Sequence, residues 1–302
     1  MSPAPVRPRP GPALRSVTVR PPGDSIRRVS EPEQRPTTTG NAKDLASAAA
    51  RDLLARTGAD SFDALVVLGS GWAGAVDTLG SPDIEFDATE LPGFHTPVAQ
   101  GHSSKVRSMW VGDKRVVVFM GRVHVHEGYS PAEAVHAVRT GLAAGAATAV
   151  LTGSAGSLRA DFAPGQPVVV RDHINMTSRS PLTGPSFVDL SEAYSPRLRR
   201  LVHEVDPSLA EGVYASTVGP QLQTPSELQV LVRSGADVVG RSLALETIAA
   251  VEMGAEVLGL SIVSNDAVGP VLEPFGAERA LEVVTRRARR LGELLNQLLS
   301  RA

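Results

Sequence analysis

A glycine-rich turn with a hydroxyl donor follows the first strongly apolar run of this chain. Residues 64–68 read Ala-Leu-Val-Val-Leu and lead into Gly-Ser-Gly at residues 69–71. Such a turn lets the backbone and the Ser70 hydroxyl approach an anion closely. The segment lacks the lysine of a P-loop, and no predicted strand with an acidic residue follows about 20 residues later, as a dinucleotide site requires. Ser70 is therefore a candidate anion ligand, and a plain tight turn is the structural alternative.

A second segment, residues 121–129, concentrates cationic and imidazole side chains. Arg122, His124 and His126 alternate with valines, so at strand spacing they would share one face. The guanidinium is a planar fork for the oxygens of a tetrahedral anion, and imidazole adds a donor. Glu127 can orient an imidazole or bind a sugar hydroxyl. The alternatives are a solvated edge strand and a metal site, but the metal site lacks an evident third ligand and no metal is predicted.

Three further segments end predicted strands or begin a helix. The small residues at 152–157 include Ser154 as a hydroxyl donor, or they form a plain turn. In the segment 219–227, Thr224 and Glu227 have the spacing of a helix N-cap and its third helical position, which leaves Gln223 projecting from the preceding loop. Asn265, at the end of an apolar run, either begins a turn or reads the edge of a heterocycle.

Strand and helix signals alternate along the chain, which is typical of an α/β fold. Strands are predicted at 64–68, 116–120, 149–152, 167–171, 213–218, 238–239 and 257–264, and helices at 42–57, 130–144, 226–234, 245–253 and 277–299. We predict a flexible Pro- and Arg-rich tail over residues 1–40 and a single domain over 41–302 with a mixed, largely parallel central sheet flanked by helices. Ligands of such sheets bind beyond the carboxyl ends of the strands, where the candidate residues fall.

The composition excludes several classes of protein. A formal net charge of −2 gives no basic excess for nucleic acid, and no apolar run approaches the roughly 20 residues of a membrane-spanning helix. The chain has no cysteine, which removes disulfides, thiolate metal sites and cysteine nucleophiles. Together with the lack of an apolar signal segment, this predicts a cytoplasmic protein.

Taken together, these motifs resemble the trimeric purine nucleoside phosphorylase family in its actinobacterial form. The resemblance runs from about residue 64 to residue 298, with the motifs in the family's order. The matching segments are Gly-Ser-Gly at 69–71, Gly-His at 101–102, Gly-Arg-Val-His at 121–124, Glu-Gly at 127–128, Arg-Asp-His-Ile-Asn at 171–175, Ser-Pro-Leu-Thr-Gly at 180–184, the run 189–198, Gly-Pro at 219–220, Gly-Ala-Asp at 235–237 and Ser-Asn at 264–265.

The resemblance implies the nucleoside phosphorylase fold and a reaction in which phosphate splits a purine nucleoside into free base and ribose 1-phosphate. It implies these phosphate-binding residues: Ser70, His102, Arg122, His124, Ser154 and Ser242. His124 and Asn265 would act in catalysis, with Asn265 donating to the departing purine. The family uses no cofactor or metal. Its members are homotrimers, in which the segment after Asn175 of one subunit covers the sugar site of the next.

The nucleoside half of the predicted site departs from the family pattern. Gln223 replaces a glutamate that grips the purine, Leu222 an aromatic that stacks on it, and Arg241 a methionine beside the ribose. His126 replaces a tyrosine, Gly153 an asparagine, and no histidine for the ribose 5′-hydroxyl is found near residues 276–277. Asn265 favours a 6-oxopurine nucleoside. The alternatives are a modified or 5′-substituted nucleoside, such as methylthioadenosine, and a non-catalytic paralogue that binds phosphate.

Overall fold

The computed structural model describes residues 39–185, 187–268 and 275–302, with side chains described from residue 42 onward. The helices are α1 (Thr39–Thr57), α2 (Val76–Leu79), α3 (Pro131–Ala134), α4 (His136–Ala143), α5 (Pro196–Val205), α6 (Pro225–Arg233), α7 (Ala244–Glu252) and α8 (Ala277–Leu299). The strands are β1 (Ala64–Val67), β2 (Pro82–Asp87), β3 (Lys105–Val111), β4 (Lys114–Phe119), β5 (Thr148–Ser157), β6 (Pro167–Asn175), β7 (Ala210–Ser216), β8 (Val238–Gly240) and β9 (Glu256–Asp266).

The strands of the described ranges form one mixed sheet. Its order is β2-β3-β4-β1-β5-β8-β7-β6-β9, and β9 also pairs with β5. Strands β5, β8, β7, β6 and β9 therefore close into a ring, and β1 to β4 extend from it through β5. Strand β1 is parallel to β4 and β5, and β5 is parallel to β9, whereas β2, β3 and β4 pair antiparallel.

Helices cover both faces of the sheet, as the side-chain alternation of β1 shows. Leu65 and Val67 pack into one core cluster with residues of α1 and α4, and Ala64 and Val66 pack into a second with residues of α2, α5 and α8. Helix α8 packs closely against the segment that precedes α2. A Cβ atom at Gly292 of α8 would collide with the Ala75 carbonyl of that segment. This packing fixes the carboxyl end of β1, where Ser70 begins the turn.

The predicted α/β domain with a mixed central sheet and flanking helices is confirmed. The predicted helix 130–144 is interrupted at Val135, which separates α3 from α4. Strands β2 and β3 and helices α2 and α5 were not predicted. Helix α1 begins at Thr39, just before the predicted boundary at residue 41, and the rest of the predicted tail lies outside the described residues.

Two local expectations have clear outcomes. Thr224 caps α6 with Pro225 at its first turn and Glu227 closing the capping box, as the sequence predicts. Residues 125–127 form a 3-10 turn, so the prediction that Arg122, His124 and His126 share one face of a strand is wrong.

Within the described ranges, the helices are too short or too polar to cross a bilayer.

Candidate active site

The carboxyl ends of several strands open into one cavity of about 540 Å³. Its lining includes Ser70 after β1, Ser154 in β5, Arg241 after β8 and Asn265 in β9. Gln223, from the loop before α6, also lines it. The volume lies within the range of small-molecule sites. A second cavity of about 20 Å³ is lined by other predicted phosphate-binding residues, and Arg241 borders both cavities.

Ser70 and Ser154 reach the large cavity through close backbone packing. A Cβ atom at Gly69 would lie 2.7 Å from the Thr152 carbonyl oxygen, so only glycine lets the β1 turn pack against β5 there. The Ser70 hydroxyl donates to the Gln100 carbonyl over 2.8 Å. It must therefore rotate before it can donate to an anion in the cavity.

Arg122 is held inside the protein by carbonyl groups and a carboxylate. Its Nη2 donates to the carbonyl oxygens of Val67 and Thr152 over 3.0 and 2.6 Å, and its Nε lies 3.0 Å from Glu246 Oε1. Only 2% of the arginine side chain and 5% of the glutamate side chain are exposed. Nη1 is also buried and has no hydrogen-bond partner among the described residues. The two N–H groups of Nη1 are thus left for a ligand, while Glu246 pairs with the charge of the guanidinium.

Glu246 also fixes the start of α7, where Ser242 lies. Its Oε2 accepts from the Leu243 backbone N–H over 3.2 Å. Burial raises the pKa of this carboxyl above its usual value, an effect that Arg122 and the Leu243 N–H only partly offset. Leu243 has φ of 60°, an uncommon conformation for a leucine that the surrounding contacts must hold in place. Sequence reasoning missed Glu246, although a lone glutamate within the apolar helix 244–250 was a detectable signal.

His124 and Glu127 form a hydrogen-bonded dyad. Glu127 Oε1 lies 2.6 Å from His124 Nδ1 and also accepts from the His124 backbone N–H, while Oε2 accepts from the Val98 N–H. Burial lowers the pKa of His124, although Glu127 opposes this effect. The neutral ring therefore donates from Nδ1 to the carboxylate, and its Nε2 carries a lone pair.

His102 has the opposite tautomer, according to its hydrogen bond. Its Nδ1 accepts from the Arg122 backbone N–H over 3.2 Å, so the hydrogen of the neutral ring is on Nε2. Burial, reinforced by His124, Arg122 and His126, holds its pKa well below the usual value. The centroids of the His102 and His124 rings are 4.9 Å apart. The two histidines therefore offer one donor and one acceptor to the same neighbourhood.

His126 stacks on His124 with 4.8 Å between ring centroids, and its buried Nδ1 has no hydrogen-bond partner in the described part of the chain. His124, His126 and Glu127 bring three potential ligand atoms within 4.8 Å of one another, so a third ligand is available after all. Glu127 Oε1 accepts from the backbone N–H of His124 and bonds its ring, and Oε2 accepts from Val98, so Glu127 and His124 form a hydrogen-bonded dyad.

Two amide side chains are oriented for recognition. Gln223 Nε2 donates to Thr217 Oγ1 over 3.1 Å, which leaves Oε1 as the acceptor of this amide. Ser264 Oγ donates to Asn265 Oδ1 over 2.8 Å, and Asn265 Nδ2 donates to the Asp266 carbonyl with one of its two hydrogens. Oε1 of Gln223 is therefore a free acceptor, and each of the two amide nitrogens keeps one hydrogen for a ligand. Leu222, nearly half exposed, lines the same cavity.

The buried histidines predict a loss of stability in acid. Burial lowers the pKa values of His102, His124, His136 and His173. Below pH about 6.5 the unfolded chain takes up protons that the folded state does not, so the free energy of unfolding falls as the pH drops toward the folded pKa values. We expect a loss of up to about 1.4 kcal/mol per histidine between pH 7.5 and 5.5, measured by urea unfolding.

The variant His173→Gln should reduce by about one the number of protons taken up on unfolding in acid, so its unfolding free energy should depend less on pH. The fold should be kept, because glutamine can still bond the Tyr194 hydroxyl that lies 3.1 Å from His173 Nδ1. An unfolding free energy that stays constant down to pH 5.5 would contradict the assignment of neutral histidines.

Comparison with known proteins shows the family of this chain. Residues 63–300 match the model of the phosphorylase superfamily. A purine nucleoside phosphorylase of Mycobacterium tuberculosis is 50% identical over 258 residues, which cover 85% of this chain and 96% of that protein. A purine nucleoside phosphorylase of Cellulomonas sp. is 44% identical and covers 85% and 93% of the two chains. The chain belongs to the purine nucleoside phosphorylase family.

A solved structure of the family extends this likeness to the fold. The Schistosoma mansoni purine nucleoside phosphorylase in complex with adenosine matches this chain with a TM-score of 0.76 and 28% sequence identity, covering 86% of this chain and 96% of that one. The resemblance predicted from the motifs is confirmed at the level of family and fold. The roles of individual residues are predictions, and the contacts described above are the structural basis for them.

Proposed function

We propose that this protein catalyses the phosphorolysis of a purine nucleoside, with a 6-oxopurine base, to free base and ribose 1-phosphate. The observation that carries the proposal is the single 540 Å³ cavity that joins the hydroxyl donors Ser70 and Ser154 to the amides of Gln223 and Asn265. A phosphate oxygen would attack C1′ of the ribose while the bond from C1′ to the purine nitrogen breaks. The donors would hold the anion beneath the developing positive charge of the sugar.

The histidine tautomers fit a phosphate that carries a proton. His124 Nε2 can accept a hydrogen bond or a proton from a P–OH group, and Glu127 stabilises the resulting imidazolium. His102 Nε2–H and the buried Nη1 of Arg122 would donate to the unprotonated oxygens. Proton transfer to His124 increases the negative charge of the attacking phosphate, and pre-positioning of the anion lowers the entropic barrier.

The orientation of Gln223 favours a 6-oxopurine. Hypoxanthine and guanine carry a hydrogen on N1, whereas adenine has a lone pair there. Thr217 takes one of the two Gln223 Nε2 hydrogens and leaves Oε1 free, and this acceptor matches the N1–H of the former. Asn265 Nδ2 has a second hydrogen that can be donated to the departing purine as that base gains negative charge.

A nucleoside panel tests the proposal. Inosine, guanosine, adenosine and methylthioadenosine would each be incubated with and without phosphate, and free base and ribose 1-phosphate would be quantified. We expect phosphate-dependent cleavage of inosine or guanosine. Exclusive cleavage of methylthioadenosine would replace the substrate assignment, and phosphate binding without any cleavage would show a non-catalytic paralogue.

The second candidate, a 5′-substituted nucleoside, is favoured by the apolar lining of the large cavity. Phe275, Ala277, Ala280 and Leu281 line it, and these side chains suit an alkylthio group better than a 5′-hydroxyl. The methylthioadenosine arm of the panel decides between the two substrates.

Replacing Gln223 with glutamate should raise kcat/KM for guanosine by about 3- to 30-fold, because a charge-assisted hydrogen bond to the purine N–H groups is stronger than a neutral one. The measurement is steady-state kinetics at saturating phosphate. Adenosine cleavage by the same variant is the internal control and should not rise. Unchanged guanosine kinetics would show that residue 223 does not contact the base.

We further propose that the protein is a homotrimer, as the family resemblance implies, and that it is cytoplasmic, as the lack of cysteine suggests. The Phe187 side chain is fully exposed, and Met176 is nearly half exposed. Both lie in the segment after Asn175, and large exposed apolar side chains of this kind suit burial by a neighbouring subunit. Light scattering coupled to size-exclusion chromatography should give three times the chain mass of 31.6 kDa, and a monomer would refute the assembly.

A further inference from the structure

Arg241 lies in the candidate site without a compensating acidic partner. Its side chain is partly buried, and its Nη2 donates to the Gln221 carbonyl over 3.1 Å. Among the described residues, no carboxylate oxygen lies within 4.0 Å of its guanidinium. Burial lowers the Arg241 pKa, but an arginine remains cationic at neutral pH. A desolvated cation of this kind is unfavourable unless a ligand supplies the opposite charge.

The other predicted anion ligands supply little net charge. The charge of Arg122 is balanced by Glu246, whose carboxylate lies 3.0 Å from its Nε. His102 and His124 both have lowered pKa values and are neutral in the resting protein. A phosphate dianion surrounded only by these groups would meet hydrogen-bond donors but no uncompensated cation. An added positive charge would therefore strengthen the binding of an anion at this site.

Arg241 has the position to supply that charge. It borders both the large cavity, with Ser70 and Ser154, and the small cavity, with Arg122, His124 and Ser242. Every predicted phosphate ligand except His102 thus lines a cavity that Arg241 also lines. Arg279 lines the large cavity but not the small one.

Glycine leaves room for the arginine in this position. Gly219 has φ of 75°, and a Cβ atom there would lie 2.8 Å from Arg241 Nε. The Gly219 backbone therefore packs directly against the guanidinium stem, while the Gln221 carbonyl takes one Nη2 hydrogen. These contacts orient Arg241 and leave its remaining N–H groups to a ligand.

We propose that Arg241 is a phosphate-binding residue of this site and provides its uncompensated positive charge. The identity of the anion as inorganic phosphate rests on the proposed function, whereas the role of Arg241 rests on the contacts described above. A dianion bound to this cation would offset its charge, so the positive charge that develops on the sugar would not meet an unpaired guanidinium. Arg241 then supports the reaction instead of opposing it.

Calorimetric titration with inorganic phosphate, in the absence of nucleoside, tests the inference. Arg241→Met should weaken the phosphate Kd by about 10- to 100-fold, and Arg241→Lys should recover part of the loss. Arg233→Met removes the same charge from an exposed position on α6 and should leave Kd unchanged within about 3-fold. Circular dichroism would confirm that each variant is folded.

An unchanged phosphate Kd in folded Arg241→Met, or a loss equalled by Arg233→Met, would overturn the inference. If Arg241→Met fails to fold, Arg241→Lys decides alone, because the shorter point charge should still weaken Kd measurably. Steady-state kinetics should show a raised KM for phosphate with the nucleoside KM unchanged, and the reverse pattern would assign Arg241 to the nucleoside. If the wild-type protein cleaves no nucleoside, the proposed function fails while the phosphate Kd comparison still decides the role of Arg241.

Discussion

Replacement of His124 by asparagine is expected to lower kcat/KM for phosphate by about 10²- to 10⁴-fold, the usual contribution of a general acid or base. Asparagine cannot take up the proton of a P–OH group, whereas the neutral imidazole can, through its Nε2 lone pair. The measurement is initial velocity against phosphate concentration at saturating nucleoside, repeated from pH 5.5 to 8.5.

Glu127→Gln tests the other half of the dyad. Its kcat/KM should fall less, by about 10- to 100-fold. The acid limb of its pH profile should move to lower pH, because the carboxylate that raises the His124 pKa is lost. The partly exposed pair His203 and Glu211, with 3.2 Å between His203 Nε2 and Glu211 Oε1, provides the control. His203→Asn should retain full activity, and wild-type phosphate kinetics in His124→Asn would refute the role of the dyad.

Replacement of Arg122 by methionine should lower the free energy of unfolding by about 3 to 5 kcal/mol, because Glu246 then remains buried without its partner. The side chains of this pair are only 2% and 5% exposed. Phosphate binding should be lost in the same variant, since the buried Nη1 donor goes with the guanidinium. The measurements are urea unfolding at pH 7.5 and phosphate calorimetry.

The double variant Arg122→Met with Glu246→Gln separates stability from binding. Glutamine keeps an oxygen that can accept from the Leu243 N–H and removes the uncompensated charge, so the double variant should regain a large part of the lost stability but no phosphate affinity. Arg107→Met, which breaks the more exposed ion pair of Arg107 with Glu85, should cost less than about 1 kcal/mol. A double variant as unstable as Arg122→Met alone would show that the pair does not account for the loss.

The elements that the sequence predicts best are those with strong local signals. The apolar run of β1, the glycine turn at Ser70 and the capping box at Thr224 each depend on neighbouring residues, and the structure has them where they were expected. Strand β2 is mostly exposed, so it lacks the alternating pattern that identifies a half-buried strand. Helix α5 buries only Leu198 and Val202, which is too short an apolar pattern to recognise.

The site is less predictable because its contacts join residues far apart in the chain. The residue type of Arg122 is enough to predict that it binds an anion. Its pairing with Glu246, however, depends on how α7 packs beneath the sheet. The tautomers of His102 and His124 follow from a backbone N–H and a carboxylate that only the folded structure places. The sequence indicated which groups are present, and folding determines which of them carry charge.

The pairing of β5 with β9 has a consequence for how the protein is made. Strand β5 ends at Ser157 and β9 begins at Glu256, so at about 5 to 20 residues per second a ribosome needs roughly 5 to 20 s to deliver the missing neighbour. During that time the emerging chain exposes an apolar strand edge, which is a template for aggregation. Translation of this protein should therefore engage chaperones that bind nascent chains, until the last strand leaves the exit tunnel.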